Sequence, residues 1–230
     1  IFTTPVVGDR YATMNVRSAP VENYPIVELS HAFERQPQEK IIYLGGMSRI
    51  RGLVELVEAF AIVARKHRRW RLQLVGSYRP ASFEDELRDL ARRLGIAENV
   101  EFLAWVPYEE KERLSSQAAM GLITYLPYPN NTSCLPNKLF DYMLVGLPVI
   151  ASDFPLYREV VEPNRCGLLV DPARPEEIAR AMGYLIERPD EARQMGENGR
   201  RAVIERYNWG KECERLLAIY EAVLNGEGDR

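Results

Sequence analysis

Six short apolar runs, separated by helical segments, constrain the fold of this chain from about residue 41 onward. They span residues 41–45, 72–76, 100–104, 120–126, 148–152 and 166–170. Strands rich in Val, Ile and Leu that alternate with amphipathic helices indicate βαβ units, which wind into a parallel sheet covered by helices on both faces. The alternation therefore predicts an α/β protein with a Rossmann-like, doubly wound parallel sheet of about six strands.

Charge and cysteine usage argue against several classes of protein. The 30 basic and 33 acidic residues nearly cancel, whereas nucleic-acid binders usually carry a basic surplus, so we expect no nucleic-acid partner. Cys134, Cys166 and Cys213 lie outside any CxxC pattern, which disfavours a disulfide framework and a zinc site. No DxD pair ends a strand, so we predict no metal site. No run approaches the roughly 20 apolar residues that span a bilayer. We expect a cytoplasmic protein.

The octapeptide GGMSRIRG, residues 45–52, follows the first predicted strand. Ligands of open α/β sheets bind at the carboxyl ends of strands, beside helix N-termini. Gly45 and Gly46 allow close approach to the backbone, and Arg49 and Arg51 stand beside the next helix, so the segment suits a diphosphate. A tight turn with solvated arginines is an equally open interpretation. The pattern is not GxGxxG, and no acidic residue ends the second strand, which disfavours an NAD enzyme.

The segment LPNKLFDYMLVGLPVIAS, residues 135–152, predicts a helix followed by a short apolar strand. Thr132 or Ser133 can cap this helix, and Pro136 fits its first turn. The free N–H groups at the helix start would then face the ligand cleft, where the positive end of the helix dipole favours an anion. The start of the helix is therefore a predicted cradle for a diphosphate.

Asp141 is an acidic residue in the middle of this apolar helix, flanked by Leu139, Phe140 and Met143. A carboxylate at this place can accept two hydrogen bonds from a vicinal diol such as a ribose. The alternative is structural, an edge carboxylate that pairs with Lys138 or a nearby arginine.

These motifs occur in an order that resembles a known family. With GGMSRIRG, LQLVG, VEFLAWVPYEE, LPNKLFDYMLVGLPVIASD and CGLLVDP in sequence, the chain resembles the C-terminal, donor-binding half of retaining glycosyltransferases of the GT-B fold, family four (group one). The resemblance implies that residues 1–40 hold the end of the N-terminal acceptor domain and a linker. Residues 41–208 would form the nucleotide-sugar domain, and 209–230 a helix that crosses back toward a missing N-terminal half.

The resemblance also implies roles for individual residues. Two basic residues of the family that commonly hold the donor diphosphate fall on Gly46 and Arg51, and the family's two acidic residues fall on Ser133 and Asp141. Asp141 would then hold the nucleotide ribose, while Ser133 stands where a carboxylate would touch the donor sugar. The residues implied for the diphosphate are Gly45, Gly46, Arg51, Cys134, Leu135 and Lys138, and those implied for the base are Gly76, Ser77 and Val106.

The activity implied by the resemblance is transfer of a sugar from a nucleotide-diphosphate sugar, with a UDP-sugar favoured, to a glycan or lipid-linked acceptor with retention of configuration. No cofactor beyond that co-substrate is expected. The acceptor, the catalytic residues and any peripheral contact with the inner face of the membrane would belong to the missing half. The altered positions Gly46 and Ser133 leave open a degenerate, non-catalytic domain that serves as a scaffold or partner-binding module. A third alternative for the function of the chain is a nucleotide-sugar epimerase.

Overall fold

A six-stranded sheet forms the centre of the computed structural model, which describes residues 19–27 and 35–225 together with the single residue 8. Every neighbouring pair of strands is parallel, in the order β3-β2-β1-β4-β5-β6. The strands are β1 (Lys40–Leu44), β2 (Arg71–Val75), β3 (Val100–Leu103), β4 (Met120–Ile123), β5 (Val149–Ser152) and β6 (Gly167–Val170). The Rossmann-like fold predicted from the sequence is confirmed.

Helices connect the strands and cover both faces of the sheet. They are α1 (Leu53–Lys66), α2 (Phe83–Arg93), α3 (Tyr108–Gln117), α4 (Pro129–Thr132), α5 (Asn137–Leu144), α6 (Pro155–Asn164), α7 (Pro175–Glu187), α8 (Pro189–Glu205) and α9 (Trp209–Leu224). Helix α1 packs against α2 and α7, whereas α5 packs against α8. The strand order runs outward in both directions from β1 and β4, so right-handed crossovers place α1 and α5 on opposite faces.

The core is deepest at the four inner strands, β2, β1, β4 and β5. All four residues of β4 and of β5 are buried, as are four of the five residues of β1, whereas β3 and β6 are mostly half-buried. Burial on both faces explains why these central strands read as continuous apolar runs. The carboxyl ends of β1 and β4 therefore form a rigid edge at the point where ligands bind in this class of fold.

Two local predictions about the segment after β4 are wrong. The predicted strand continued to residue 126, but β4 ends at Ile123 because the chain turns out of the sheet, and the buried Ser152 hydroxyl donates to the carbonyl of Tyr125 at 2.7 Å. Pro136 is the residue before α5 rather than part of its first turn. Thr132 closes α4, and the Ser133 hydroxyl donates backward to Pro129 O at 2.6 Å, so neither side chain caps α5.

Residues 19–27 lie against the start of the C-terminal helix. Trp209 N donates to Pro25 O at 2.8 Å, and Glu22 N donates to the buried carboxylate of Glu212 at 2.8 Å. The assignment of residues 1–40 to an acceptor domain and linker stays a prediction, and residues 1–7, 9–18 and 28–34 lie outside the part of the chain that the structure describes. No helix within residues 19–27 and 35–225 combines the length and apolar character that crossing a bilayer demands.

Candidate functional site

A cavity of about 500 Å³ opens at the carboxyl ends of β1 and β4. Its walls come from the turn after β1, from α3, from the loop after β4 and from the start of α5. The lining includes Gly45, Arg51, Tyr125, Cys134, Lys138 and Asp141. With Lys111 of α3, which also lines the cavity, three basic side chains and one carboxylate therefore meet at the switch point of the sheet.

Arg51 is held in one direction by two neighbours. Its guanidinium lies 4.1 Å from the centroid of the Tyr125 ring, and Nη1 donates to Asn131 Oδ1 at 3.0 Å. Asn131 is itself fixed, because its buried amide donates to the carbonyls of Ile50 at 2.8 Å and Leu126 at 2.9 Å. An arginine positioned in this way presents a permanent, planar cation to the cavity.

Arg49 occupies the same turn but points elsewhere. It forms an exposed ion pair with Glu86 of α2, and its guanidinium lies 5.7 Å from the ring centroid of Phe83. Arg49 is not among the residues that line the cavity. The two arginines of the GGMSRIRG segment thus separate into one that faces the cavity and one solvated surface residue.

Lys138 is a second basic side chain of the cavity, and its amine nitrogen is buried although the residue as a whole is half-buried. Its Nζ lies 3.5 Å from the ring centroid of Tyr43 and has no hydrogen-bond partner among the residues that the structure describes. Burial, and after it the charge of Arg51, holds the pKa of Lys138 well below its usual value, although Asp141 opposes this. A cation–π contact contributes about 2 kcal/mol in a desolvated site. Several kcal/mol are lost when an ammonium is buried without a partner, so burial dominates.

Asp141 lies about one turn after Lys138 on α5, near Lys111 and Glu112 of α3. Burial raises its pKa to about 6, an effect that Lys111 and Lys138 oppose through space and that Glu112 reinforces. The alternative of an edge carboxylate paired with Lys138 is not what the structure shows, because no hydrogen bond joins the two side chains and the Lys138 amine has no partner. Asp141 is therefore a partly desolvated carboxylate with acceptor capacity toward the cavity.

A second hollow of about 750 Å³ adjoins the first. It is bounded by residues 23–27, α3 and α8, and it shares Lys111, Asn137 and Asp141 with the cavity at the switch point. Asp141 thus stands on the wall common to the two spaces. Within the described ranges, no group of three or more His, Cys, Asp or Glu side chains is arranged to hold a metal ion.

Comparison with known proteins identifies the family. The model of the family described as glycosyl transferases group 1 matches residues 29–202. The chain belongs to this family.

Relatives of this group 1 glycosyl transferase domain include two enzymes of actinobacteria. The chain is 31% identical over 176 residues to MMP alpha-(1->4)-mannosyltransferase of Mycolicibacterium hassiacum, covering 76% of this chain and 41% of the relative. It is 31% identical over 192 residues to D-inositol 3-phosphate glycosyltransferase of Corynebacterium kroppenstedtii, covering 80% and 40%. The chain therefore spans about two fifths of the length of these relatives.

Solved structures share the fold of the group 1 domain. Sucrose-phosphate synthase from Thermosynechococcus elongatus superposes with a TM-score of 0.75 at 22% identity, covering 98% of this chain and 58% of that one. The Anabaena protein HepE in complex with UDP-glucose superposes with a TM-score of 0.70 at 20% identity, covering 80% and 48%. These similarities agree with the Rossmann-like half of a GT-B enzyme that the sequence predicted.

Six residues predicted for the donor site of a group 1 glycosyl transferase lie together in the structure. These residues are Gly45, Arg51, Cys134, Leu135, Lys138 and Asp141, and all of them line the cavity. Residues to which the sequence gave no role in the site line it as well, among them Lys111, Tyr125, Asn130 and Tyr157. Tyr125 could have been found from the sequence, because it lies two residues beyond the end of β4, where a ligand site is expected.

The other predicted residues lie beside the cavity rather than in its lining. Gly46 is exposed, and its carbonyl accepts a hydrogen bond from the Tyr43 hydroxyl at 3.0 Å. Gly76 packs so closely on the β1 turn that a Cβ there would lie 1.9 Å from Gly45 O, and the Ser77 carbonyl accepts from Met47 N at 2.8 Å. Val106 is half-buried. The sugar and base contacts predicted for Ser133, Gly76, Ser77 and Val106 stay predictions.

Replacing Asp141 with asparagine is expected to stabilise the fold above about pH 6. The folded-state pKa is raised from 3.8 to about 6, so the ionised carboxylate costs folding free energy that the amide does not. At 1.36 kcal/mol per pKa unit, the gain is about 1–3 kcal/mol at pH 7.5 and disappears as the pH falls to about 4. Urea unfolding of both proteins at several pH values measures it. The exposed Asp89→Asn serves as a charge-matched control, and an unstable Asp141→Asn variant at pH 7.5 would contradict the expectation.

Proposed function

We propose that the chain is the donor-binding half of a retaining glycosyltransferase of GT-B type, family four, and that the switch-point cavity holds a nucleotide-diphosphate sugar. The observation that carries this proposal is that Arg51 and Asp141 line the same cavity at the carboxyl ends of β1 and β4. A cation suits a diphosphate, and a desolvated carboxylate suits the hydroxyl pair of a ribose.

Sugar transfer from a nucleotide-diphosphate sugar requires stabilisation of the departing nucleoside diphosphate. Negative charge develops on the leaving oxygen as the glycosidic bond to the diphosphate breaks. The Arg51 guanidinium and the N–H groups at the start of α5 are fixed before the reaction, so they stabilise this charge without reorganisation. No cofactor beyond the nucleotide sugar is needed for this role. The catalytic residues and the acceptor site would lie in the rest of the polypeptide.

The similar proteins support a particular donor class. HepE shares the fold and was solved with UDP-glucose, which favours a UDP-sugar as the donor here. The two actinobacterial relatives are named for transfer to MMP and to D-inositol 3-phosphate, and we propose a glycan or lipid-linked acceptor for this chain. We place the reaction in the cytoplasm, with the acceptor-binding half in contact with the inner face of the membrane. The scaffold alternative is less well supported, because the cationic and acidic residues needed for a donor share one cavity.

Calorimetric titration with UDP-glucose, GDP-mannose and ADP-glucose tests this function directly. We expect one of them to bind at about 1:1, and the Asp141→Asn variant to bind it roughly tenfold more weakly, because an amide loses the charge on the hydrogen bonds to the ribose. The Asp89→Asn variant, which changes an exposed carboxylate of α2, should bind like the unaltered chain. If none of the three sugars bound, the proposal would be wrong.

The affinity should also depend on pH through Asp141. Its pKa is about 6 in the free cavity, and hydrogen bonds from a diol stabilise the ionised form, so binding lowers this pKa. Protonation then competes with binding below about pH 6, where affinity should fall by up to tenfold per pH unit. Titrations from about pH 5 to 7 measure the slope. The slope should vanish in Asp141→Asn, and its persistence there would assign the titration to another group.

A further inference from the structure

Lys138 occupies a position in which an ammonium group is poorly accommodated. Its Nζ is buried and has no hydrogen-bond partner in the described part of the chain, although it lines the cavity. A Cβ placed on Gly45 would lie 3.3 Å from this nitrogen, so the amine faces the turn after β1. A buried polar atom without a partner is rare in folded proteins and calls for a ligand.

Arg51 and Lys138 both lie near the aromatic ring of Tyr125. The Arg51 guanidinium carbon lies 4.1 Å and the Lys138 nitrogen 5.2 Å from the centroid of the Tyr125 ring. An arginine keeps its charge in any protein environment, whereas a lysine loses its proton readily when it is buried. The repulsion between the two neighbouring positive charges therefore lowers the pKa of Lys138, while Arg51 keeps its charge.

The titratable groups around Lys138 come from every wall of the cavity. Arg51 and Lys111 disfavour a second positive charge, whereas Asp141 and the cation–π contact with the Tyr43 ring favour it. The groups that face this space are Tyr43, Arg51, Lys111, Tyr125, Asp141 and Tyr157. One carboxylate set against two cations, together with the burial of the amine nitrogen, weakens the hold of the Lys138 amine on its proton.

A bound diphosphate would favour the protonated form of Lys138 instead. Its two negative charges would enter the cavity beside both Arg51 and Lys138, and an anion next to a buried amine favours the protonated form. We propose that Lys138 is neutral in the empty site and takes up one proton when a nucleotide-diphosphate sugar binds, so that it becomes the second cation on the leaving group. This inference rests on the proposed function.

Calorimetry in two buffers of different ionisation enthalpy counts the protons. UDP-glucose is a suitable probe because its diphosphate is a diester with no group that titrates near neutrality. At about pH 8, where Asp141 is ionised, the observed enthalpy should depend on the buffer with a slope close to one proton taken up. As the pH rises above the lowered pKa of Lys138 in the empty site, the affinity should correspondingly fall, by up to about tenfold per pH unit.

Variants of Lys138 and of a control lysine show which side chain takes up the proton. Lys138→Met should lose the uptake and flatten the pH dependence, whereas Lys138→Arg, which carries a permanent charge, should retain tighter binding than Lys138→Met without uptake. Lys66→Met is the control, because Lys66 is an exposed lysine that pairs with Glu187 on the surface and does not line the cavity, so its variant should still take up the proton. Thermal unfolding checks that each variant is folded.

The results of these experiments distinguish the inference about Lys138 from the proposed function on which it rests. Binding of UDP-glucose without a buffer-dependent enthalpy, or uptake that persists in Lys138→Met, overturns the role of Lys138 and leaves the donor site intact. Failure of every nucleotide sugar to bind the unaltered chain overturns both. Uptake of about one proton that is lost only when Lys138 is replaced supports the inference.

Discussion

Replacing Arg51 with glutamine is expected to weaken the binding of UDP-glucose by roughly 100-fold. Hydrogen bonds to a charged group contribute about 1.5–3 kcal/mol, and 1.4 kcal/mol is a factor of ten in affinity. The guanidinium is already fixed by its contact with Tyr125 and its hydrogen bond to Asn131, so little side-chain freedom is lost when the ligand binds. Titration calorimetry on the variant and the unaltered chain measures the difference.

Arg49 provides the matched control for this experiment. It lies in the same turn and carries the same charge, but it pairs with Glu86 on the surface and does not line the cavity. Arg49→Gln should therefore bind UDP-glucose within about threefold of the unaltered chain, since exposed ion pairs contribute little. Equal losses in the two variants would mean that overall charge, rather than the position of Arg51, governs binding.

Replacing Gly52 with alanine is expected to remove about 2–5 kcal/mol of stability. Gly52 has a φ of 69°, which costs a residue with a side chain about 1–2 kcal/mol. Its Cβ would lie 1.8 Å from the carbonyl oxygen of Thr124, so β4 or the turn must shift, at a further cost of about 1–3 kcal/mol. Domains of this kind have about 5–15 kcal/mol in total, so the loss is severe. Urea unfolding followed by circular dichroism gives the free energy.

Gly183 shows what the same substitution does without these constraints. It lies inside α7, and a Cβ added there would meet no other atom within 4 Å. Gly183→Ala should therefore stabilise the chain by up to about 1 kcal/mol, because alanine is the better helix former. If Gly52→Ala were as stable as Gly183→Ala, the close approach of the turn to β4 would not be a constraint in solution.

The strands could be predicted from the sequence because burial on both faces leaves a continuous apolar run. The same reasoning extended β4 by three residues, since Thr124, Tyr125 and Leu126 continue the apolar pattern although the chain has left the sheet. The Ser152 hydroxyl that accompanies this turn comes from a neighbouring strand, so no local pattern could reveal it. The start of α5 was misplaced because the expected capping residues, Thr132 and Ser133, form the end of α4, a short helix with Pro129 at its first position.

The place of Lys138 at the cavity followed from the family resemblance and not from the residues themselves, because the rotation of an eight-residue helix depends on what it packs against. The Tyr142 hydroxyl accepts a hydrogen bond from Leu44 N at 2.9 Å and so turns one side of α5 toward β1. Lys138 is four residues before Tyr142 and lies on the same side of the helix. The positions of Arg51 and Asp141 at the cavity were predictable, because each followed from a motif at the carboxyl end of a strand.

The contact between Gly76 and the Gly45 carbonyl limits how this site can be redesigned. The turns after β1 and β2 touch through backbone atoms, so a side chain introduced at Gly76 would push the floor of the cavity out of place. Mutant libraries aimed at a new donor would therefore lose most members to misfolding if they varied this edge. The walls made by α3 and α5 carry ordinary side chains that can change size, and new donor preferences should be sought at those positions.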